Sequence, residues 1–170
     1  MPRLHVCSLA RIEEVVANTG ARSMVTLLSP GTGVKRPTAI APERHLNLAV
    51  SDIVDAAPGQ VLPESTHIDA FLDFIRGWDR KAPMLIHCFA GVSRSTASAF
   101  IAACTLAPHR DEHEIARALR AASPTATPNA RFVALADARL QRSGRMSEAI
   151  AAIGRGEMCF EGNPFALEID

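Results

Sequence analysis

Pro83-Met84-Leu85-Ile86-His87 is a short run with no carboxylate, lysine or arginine, and together with the segment after it this run constrains the whole chain. Its length and apolar character read as a central β-strand. Cys88 comes next, then Phe89-Ala90-Gly91-Val92-Ser93 and Arg94-Ser95. Ala97, Phe100, Ile101 and Leu106 then mark a helix that opens at Val92 or Ser93 and ends before Pro108. A buried strand running through a tight loop into a helix is the unit of an α/β sheet, which needs further strands beside it and helices over it.

The remaining sequence supplies them. Leu4–Cys7 reads as a strand, and Ser8 is placed to cap a helix carrying Leu9, Ile12, Val15 and Val16, with Gly20 as its stop. Ser23–Leu28 is a β-branched, buried strand, and Ser29–Pro37 a loop. His45–Val50 alternates as a third strand, and a long polar loop runs from Asp52 to Pro63. Pro63 is placed to begin a helix through Ile68, Phe71, Leu72 and Ile75 to about Trp78. Three more helices are expected: Glu112 to about Ala121, with Asp111 and Glu114 as a capping box; one capped by Asn129 through Phe132, Leu135 and Leu140; and Met146–Ile153. Residues 156–170 read as an irregular tail. The expectation is one α/β domain over residues 1–170, with a mainly parallel sheet of four to five strands and helices on both faces. Ligands in such sheets bind beyond the carboxyl ends of the strands, where Cys88 falls.

The chemistry of segment 87–95 is that of an anion cradle. The peptide N–H groups of residues 89–94 can ring one phosphoryl group if the backbone curls, and Gly91 permits the curl. The helix N-terminus adds its positive dipole end, and the planar fork of Arg94 can bond two phosphoryl oxygens. The same positive field favours thiolate, the nucleophilic form, at Cys88. Ser95 can donate a hydrogen bond to the sulfur. His87 precedes Cys88 on the strand, so its side chain is expected on the opposite face, fixing the loop through hydrogen bonds.

His-Cys-x-x-Gly-x-x-Arg-Ser, here His87 to Ser95, resembles the phosphate loop of the protein tyrosine phosphatase superfamily. The chain length is similar to that of the dual-specificity and small bacterial members. Pro128-Asn129-Ala130-Arg131-Phe132 is similar to the Pro-Asn-x-x-Phe stretch that comes after the loop in dual-specificity members. The resemblance covers about Leu4 to Leu140 and implies phosphomonoester hydrolysis without metal or other cofactor. It implies Cys88 as nucleophile, Arg94 as phosphate clamp, Ser95 as assistant to thiolate departure, and Phe89, Ala90, Gly91, Val92, Ser93 and Arg94 as the substrate-binding loop. Such enzymes carry a general acid aspartate on a mobile loop upstream. Asp52 is favoured because it directly follows the strand 45–50, with Asp55 as the alternative; no Trp-Pro-Asp tripeptide is present, and Trp78 falls at a helix end.

Composition narrows the substrate. The chain has 18 basic and 18 acidic residues, so no charge surplus points to nucleic acid or a membrane surface. The variable loop residues Phe89, Ala90, Val92 and Ser93 are uncharged, which argues against polyphosphoinositides. There is no tyrosine to sandwich a phosphotyrosine ring, so a differently walled pocket is expected. Phosphotyrosine or dual-specificity protein substrates lead, followed by small phosphomonoesters or a silent phosphate-binding module. No signal-peptide core comes after Met1, and a cytoplasmic location is expected. Cys7 and Cys104 read as small buried hydrophobes, and Cys7, Cys104 and Cys159 show no paired spacing. His109 and His113 read as a solvated helix start, Arg117 and Arg120 as solvated helix residues, and Arg139, Arg142 and Arg145 as a basic cluster offset by nearby acids. Oligomeric state is not legible.

Overall fold

A computed structural model describes residues 3–170; Met1 and Pro2, at the head of the segment read as lacking a leader, lie outside the described residues. Five strands form one mixed sheet: β1 (Arg3–Cys7), β2 (Ser23–Leu28), β3 (His45–Ala49), β4 (Met84–His87) and β5 (Phe165–Glu168). Their order is β3-β2-β4-β1-β5. β1, β2, β3 and β4 pair in parallel, and β5 pairs antiparallel to β1. The β4 strand thus lies between β2 and β1, and every one of its residues is buried.

Side chains alternate across the sheet as the pleat requires. Leu4, Val6, Val25, Leu27, Met84 and Ile86 face the larger core. Cys7, Met24 and Leu85 face a smaller one, closed by Ile12, Val15 and Val16 of helix α1 (Ile12–Thr19). The larger face is covered by α2 (Ser65–Arg76), α3 (Arg94–Leu106), α4 (Glu112–Ala122), α5 (Ala130–Arg139) and α6 (Arg145–Ile153). From Arg94 to Cys104 every residue of α3 is buried, as befits a helix enclosed by others. Its alanines at 97, 99, 102 and 103 let neighbouring elements approach closely.

Four local expectations need correction. Residues 156–170 are not wholly irregular, because Phe165–Glu168 forms β5, with Leu167 and Ile169 buried. Ser8 makes no helix cap; a one-turn 3-10 helix at Leu9–Arg11 precedes α1, and the Ser8 hydroxyl donates to Glu161 at 2.5 Å. Pro63 does not open α2: Glu64 caps it reciprocally with His67, while the Pro63 carbonyl accepts from Arg131 Nε at 2.5 Å. Arg120 is not solvated, since its guanidinium donates to the carbonyls of Ile153, Gly154 and Ala126. The basic cluster is paired: Arg139 with Asp69, and Arg142 and Arg145 with the buried Glu112.

Candidate active site

β4 ends at His87, and the chain turns through residues 88–93 into α3. The turn is held from outside by its carbonyls. Those of Phe89, Ala90, Val92 and Ser93 accept from the amides of Leu9 (3.1 Å), Gly162 (2.9 Å), Thr127 (2.9 Å) and Asn129 (3.2 Å). In a trans peptide the N–H of the next residue points opposite to the carbonyl. The amides of Ala90, Gly91, Ser93 and Arg94 therefore point away from those partners. Gly91 sits at φ +73°, and a Cβ there would lie 2.9 Å from the Cys7 carbonyl carbon and the Ser8 nitrogen. Only glycine lets the loop both curl and lie against the end of β1.

Cys88, at the start of the loop, is buried, with its sulfur 3.1 Å from the Ser95 hydroxyl. Arg94 is buried at the first position of α3. One of its terminal nitrogens donates to the Val50 carbonyl (3.0 Å) and the Ser29 hydroxyl (3.3 Å), at the carboxyl ends of β3 and β2. Its Nε is buried without a partner among the described residues. A buried donor without an acceptor costs on the order of 1–3 kcal/mol, and an anion over the loop would supply the acceptor.

His87 makes the loop-fixing hydrogen bonds expected of it, and Thr26 and His45 extend them into a chain that no sequence signal announces. His87 Nδ1 lies 3.0 Å from the Cys88 carbonyl, and Thr26 Oγ1 is 2.7 Å from both His87 Nε2 and His45 Nε2. A carbonyl only accepts, so His87 carries its proton on Nδ1. Its Nε2 then accepts from the Thr26 hydroxyl, whose oxygen accepts from His45 Nε2–H. Burial, with smaller contributions from His45 and Arg94, holds His87 down at about 4. His87 is thus a neutral donor that fixes the peptide after the cysteine.

Asp52 stands at the other edge. Its Oδ1 accepts from the Ser93 hydroxyl (2.7 Å) and from Asn129 Nδ2 (2.9 Å). Asn129 also caps α5, its Oδ1 accepting from the amides of Arg131 and Phe132. One side chain therefore couples the α5 terminus to the 51–63 loop, a tie that the Asn129 capping signal alone did not reveal. Asp55 lines the same open cleft as Asp52, Ser93 and Arg155. Cys7 and Cys104 are buried, and burial pushes both thiols up to about 12; Cys159 is exposed. Among the described residues no three His, Cys, Asp or Glu side chains gather as a metal site, and no helix is long and apolar enough to cross a membrane.

No family model matches the sequence, and no curated protein matches it. Solved structures do share its fold. Human DUSP28 aligns with a TM-score of 0.60 at 21% identity, covering 82% of this chain and 89% of that one. The Cydia pomonella PTP-2 phosphatase aligns with 0.61 at 20%, covering 79% and 84%. PTPMT1, solved in complex with PI(5)P, aligns with 0.58 at 13%, covering 88% and 93%. The likeness is one of fold: a compact phosphatase-type α/β domain with a five-stranded, mostly parallel sheet.

Proposed function

We propose, from a fold shared with compact dual-specificity phosphatases, that this chain is a cysteine-dependent phosphomonoester hydrolase acting through a cysteinyl-phosphate. The observation that carries the reading is the loop after Cys88, whose carbonyls at 89, 90, 92 and 93 are all engaged by other segments, together with a buried Arg94 whose Nε has no partner among the described residues; both support an anion site beside Cys88. In the first step the Cys88 thiolate attacks phosphorus in line, an S–P bond forms, and the P–O bond to the leaving group breaks. Arg94 and the loop amides hold the equatorial oxygens, where transition-state charge collects. Asp52 gives its proton to the departing oxygen. Water then attacks phosphorus, Asp52 takes the water proton, and the S–P bond breaks to return thiolate, with the Ser95 hydroxyl donating to the sulfur. Asp55 is the alternative acid, on the same cleft.

Phosphotyrosine or dual-specificity protein substrates fit the neutral loop residues Phe89, Ala90, Val92 and Ser93 better than polyphosphorylated lipids do. One observation favours a second reading. Asp52 Oδ1 already accepts two hydrogen bonds, which suits an aspartate that locks the loop as well as one that moves a proton. On that reading the chain is a phosphate-binding module without turnover. The test is phosphate release from an aryl phosphate in chelator-treated buffer. Turnover lost in Cys88→Ser supports the enzyme; turnover retained in that variant sinks the cysteinyl mechanism; stoichiometric labelling of Cys88 without turnover selects the module.

A further inference from the structure

After α6 the chain does not leave the fold but crosses the face of the phosphate loop before entering β5. Arg120 holds its origin through the Ile153 and Gly154 carbonyls. The Gly156 amide donates to the Thr127 hydroxyl (3.1 Å), the Glu157 amide to the Pro124 carbonyl (2.9 Å), and the Gly162 amide to the Ala90 carbonyl (2.9 Å). A Cβ on Gly162 would lie 2.9 Å from the Gly91 carbonyl oxygen, so this strap lies directly on the loop. Between its anchors it carries Phe160, which is fully exposed at 103%, on the rim of a pocket of about 410 Å³. Leu9, Ala10, Phe89, Ala90, Phe160 and Glu161 line that pocket. The Glu161 carboxylate accepts from Ser8, which turns it to the strap's own attachment.

The large exposed apolar side chains among the described residues are Val54, Phe89, Met158 and Phe160. Phe89 belongs to the loop, Met158 and Phe160 to the strap, and Val54 to the segment beside Asp52. Exposed apolar surface is thus gathered around the cradle. We propose that Phe160 and Phe89 form an aromatic clamp for the leaving group, making the strap 156–164 a specificity-determining element that selects aryl over small alkyl phosphate esters. The occupant is set by continuity: Phe89 and Ala90 belong both to the loop that would hold the phosphate and to the wall of the pocket. An aromatic ring one ester bond from the phosphorus meets an apolar, aromatic-lined space, and offset or edge-on contacts with two rings favour it. The chain has no tyrosine to do this. A membrane surface is the less favoured occupant, because the chain carries no net positive charge.

This inference rests on the phosphatase reading, and one panel separates the two. Phe160→Ala and Phe160→Trp are compared with the parent chain on a phosphotyrosine peptide, the matched phosphoserine peptide, and vesicles of a phosphomonoester lipid, with inorganic phosphate as competitive inhibitor. The expected result is a fall of roughly tenfold in kcat/KM for the phosphotyrosine peptide in Phe160→Ala, carried by KM. The phosphoserine peptide and phosphate inhibition should be unchanged, and Phe160→Trp should restore the parent ratio. An unchanged ratio in an active Phe160→Ala variant overturns the clamp and leaves the phosphatase reading standing. Loss confined to the vesicles overturns it in favour of a membrane-facing strap. No hydrolysis of any ester by the parent chain overturns both.

Discussion

Removing one proton site, His87, should change how stability varies with pH. The imidazole is fully buried, bonded to the Cys88 carbonyl on one side and to Thr26 on the other, and burial lowers its pKa from 6.5 to about 4. The unfolded chain therefore takes up this proton first as pH falls, so the contribution to stability is complete above pH 6.5 and is lost between 6.5 and about 4. With 1.36 kcal/mol per pKa unit, the full loss is about 3 kcal/mol. His5 and His45 are shifted the same way by their own burial, so the parent curve contains more than one histidine. His87→Asn cannot titrate. Urea unfolding monitored by the fluorescence of the buried Trp78, repeated across this window, should give a shallower fall for the variant. Only the difference in slope enters, so lower absolute stability of the variant does not spoil the comparison. Parallel curves would refute the neutral, relay-held imidazole.

Gly91→Ala places a Cβ 2.9 Å from the β1 backbone at φ +73°; beyond a left-handed penalty of about 1–2 kcal/mol, the loop must lift, so turnover should fall more than stability does. For a poor leaving group, Asp52→Asn should lower kcat by roughly 10²–10⁴-fold, with little effect on a good one and little from Asp55→Asn; the reverse pattern moves the acid to Asp55. Glu112→Gln leaves Arg142, 2.8 Å away and largely buried, without its counter-charge; a loss of about 3–5 kcal/mol is expected by denaturant titration, and an effect under about 1 kcal/mol would show that water reaches the pair.

What could be read from the sequence was what is local. The strands β1 to β4 and the helices announce themselves by short-range periodicity, and residues 87–95 are contiguous, so their pattern can be read without knowing what packs against them. Partnerships across the fold were not legible. Nothing near Gly162 says that its amide meets Ala90, and nothing near Thr26 says that it stands between two imidazoles. Arg120 looks like any helix arginine until the α6 terminus arrives beside it. β5 did leave a trace, since Phe165, Leu167 and Ile169 alternate, but so short a run carries that signal weakly without the β1 edge to pair with.

The strap also sets an order of events during synthesis. The cysteine loop emerges from the ribosome well before Gly162 and β5, and at about 5–20 residues per second the interval lasts several seconds. For that time the nascent chain has its cysteine loop but lacks the amide that holds the Ala90 carbonyl, and β1 presents a bare edge to other chains. Residues 162–168 would therefore both secure the loop and seal the sheet, so that the loop gains its last tie and the sheet its protection from edge pairing together.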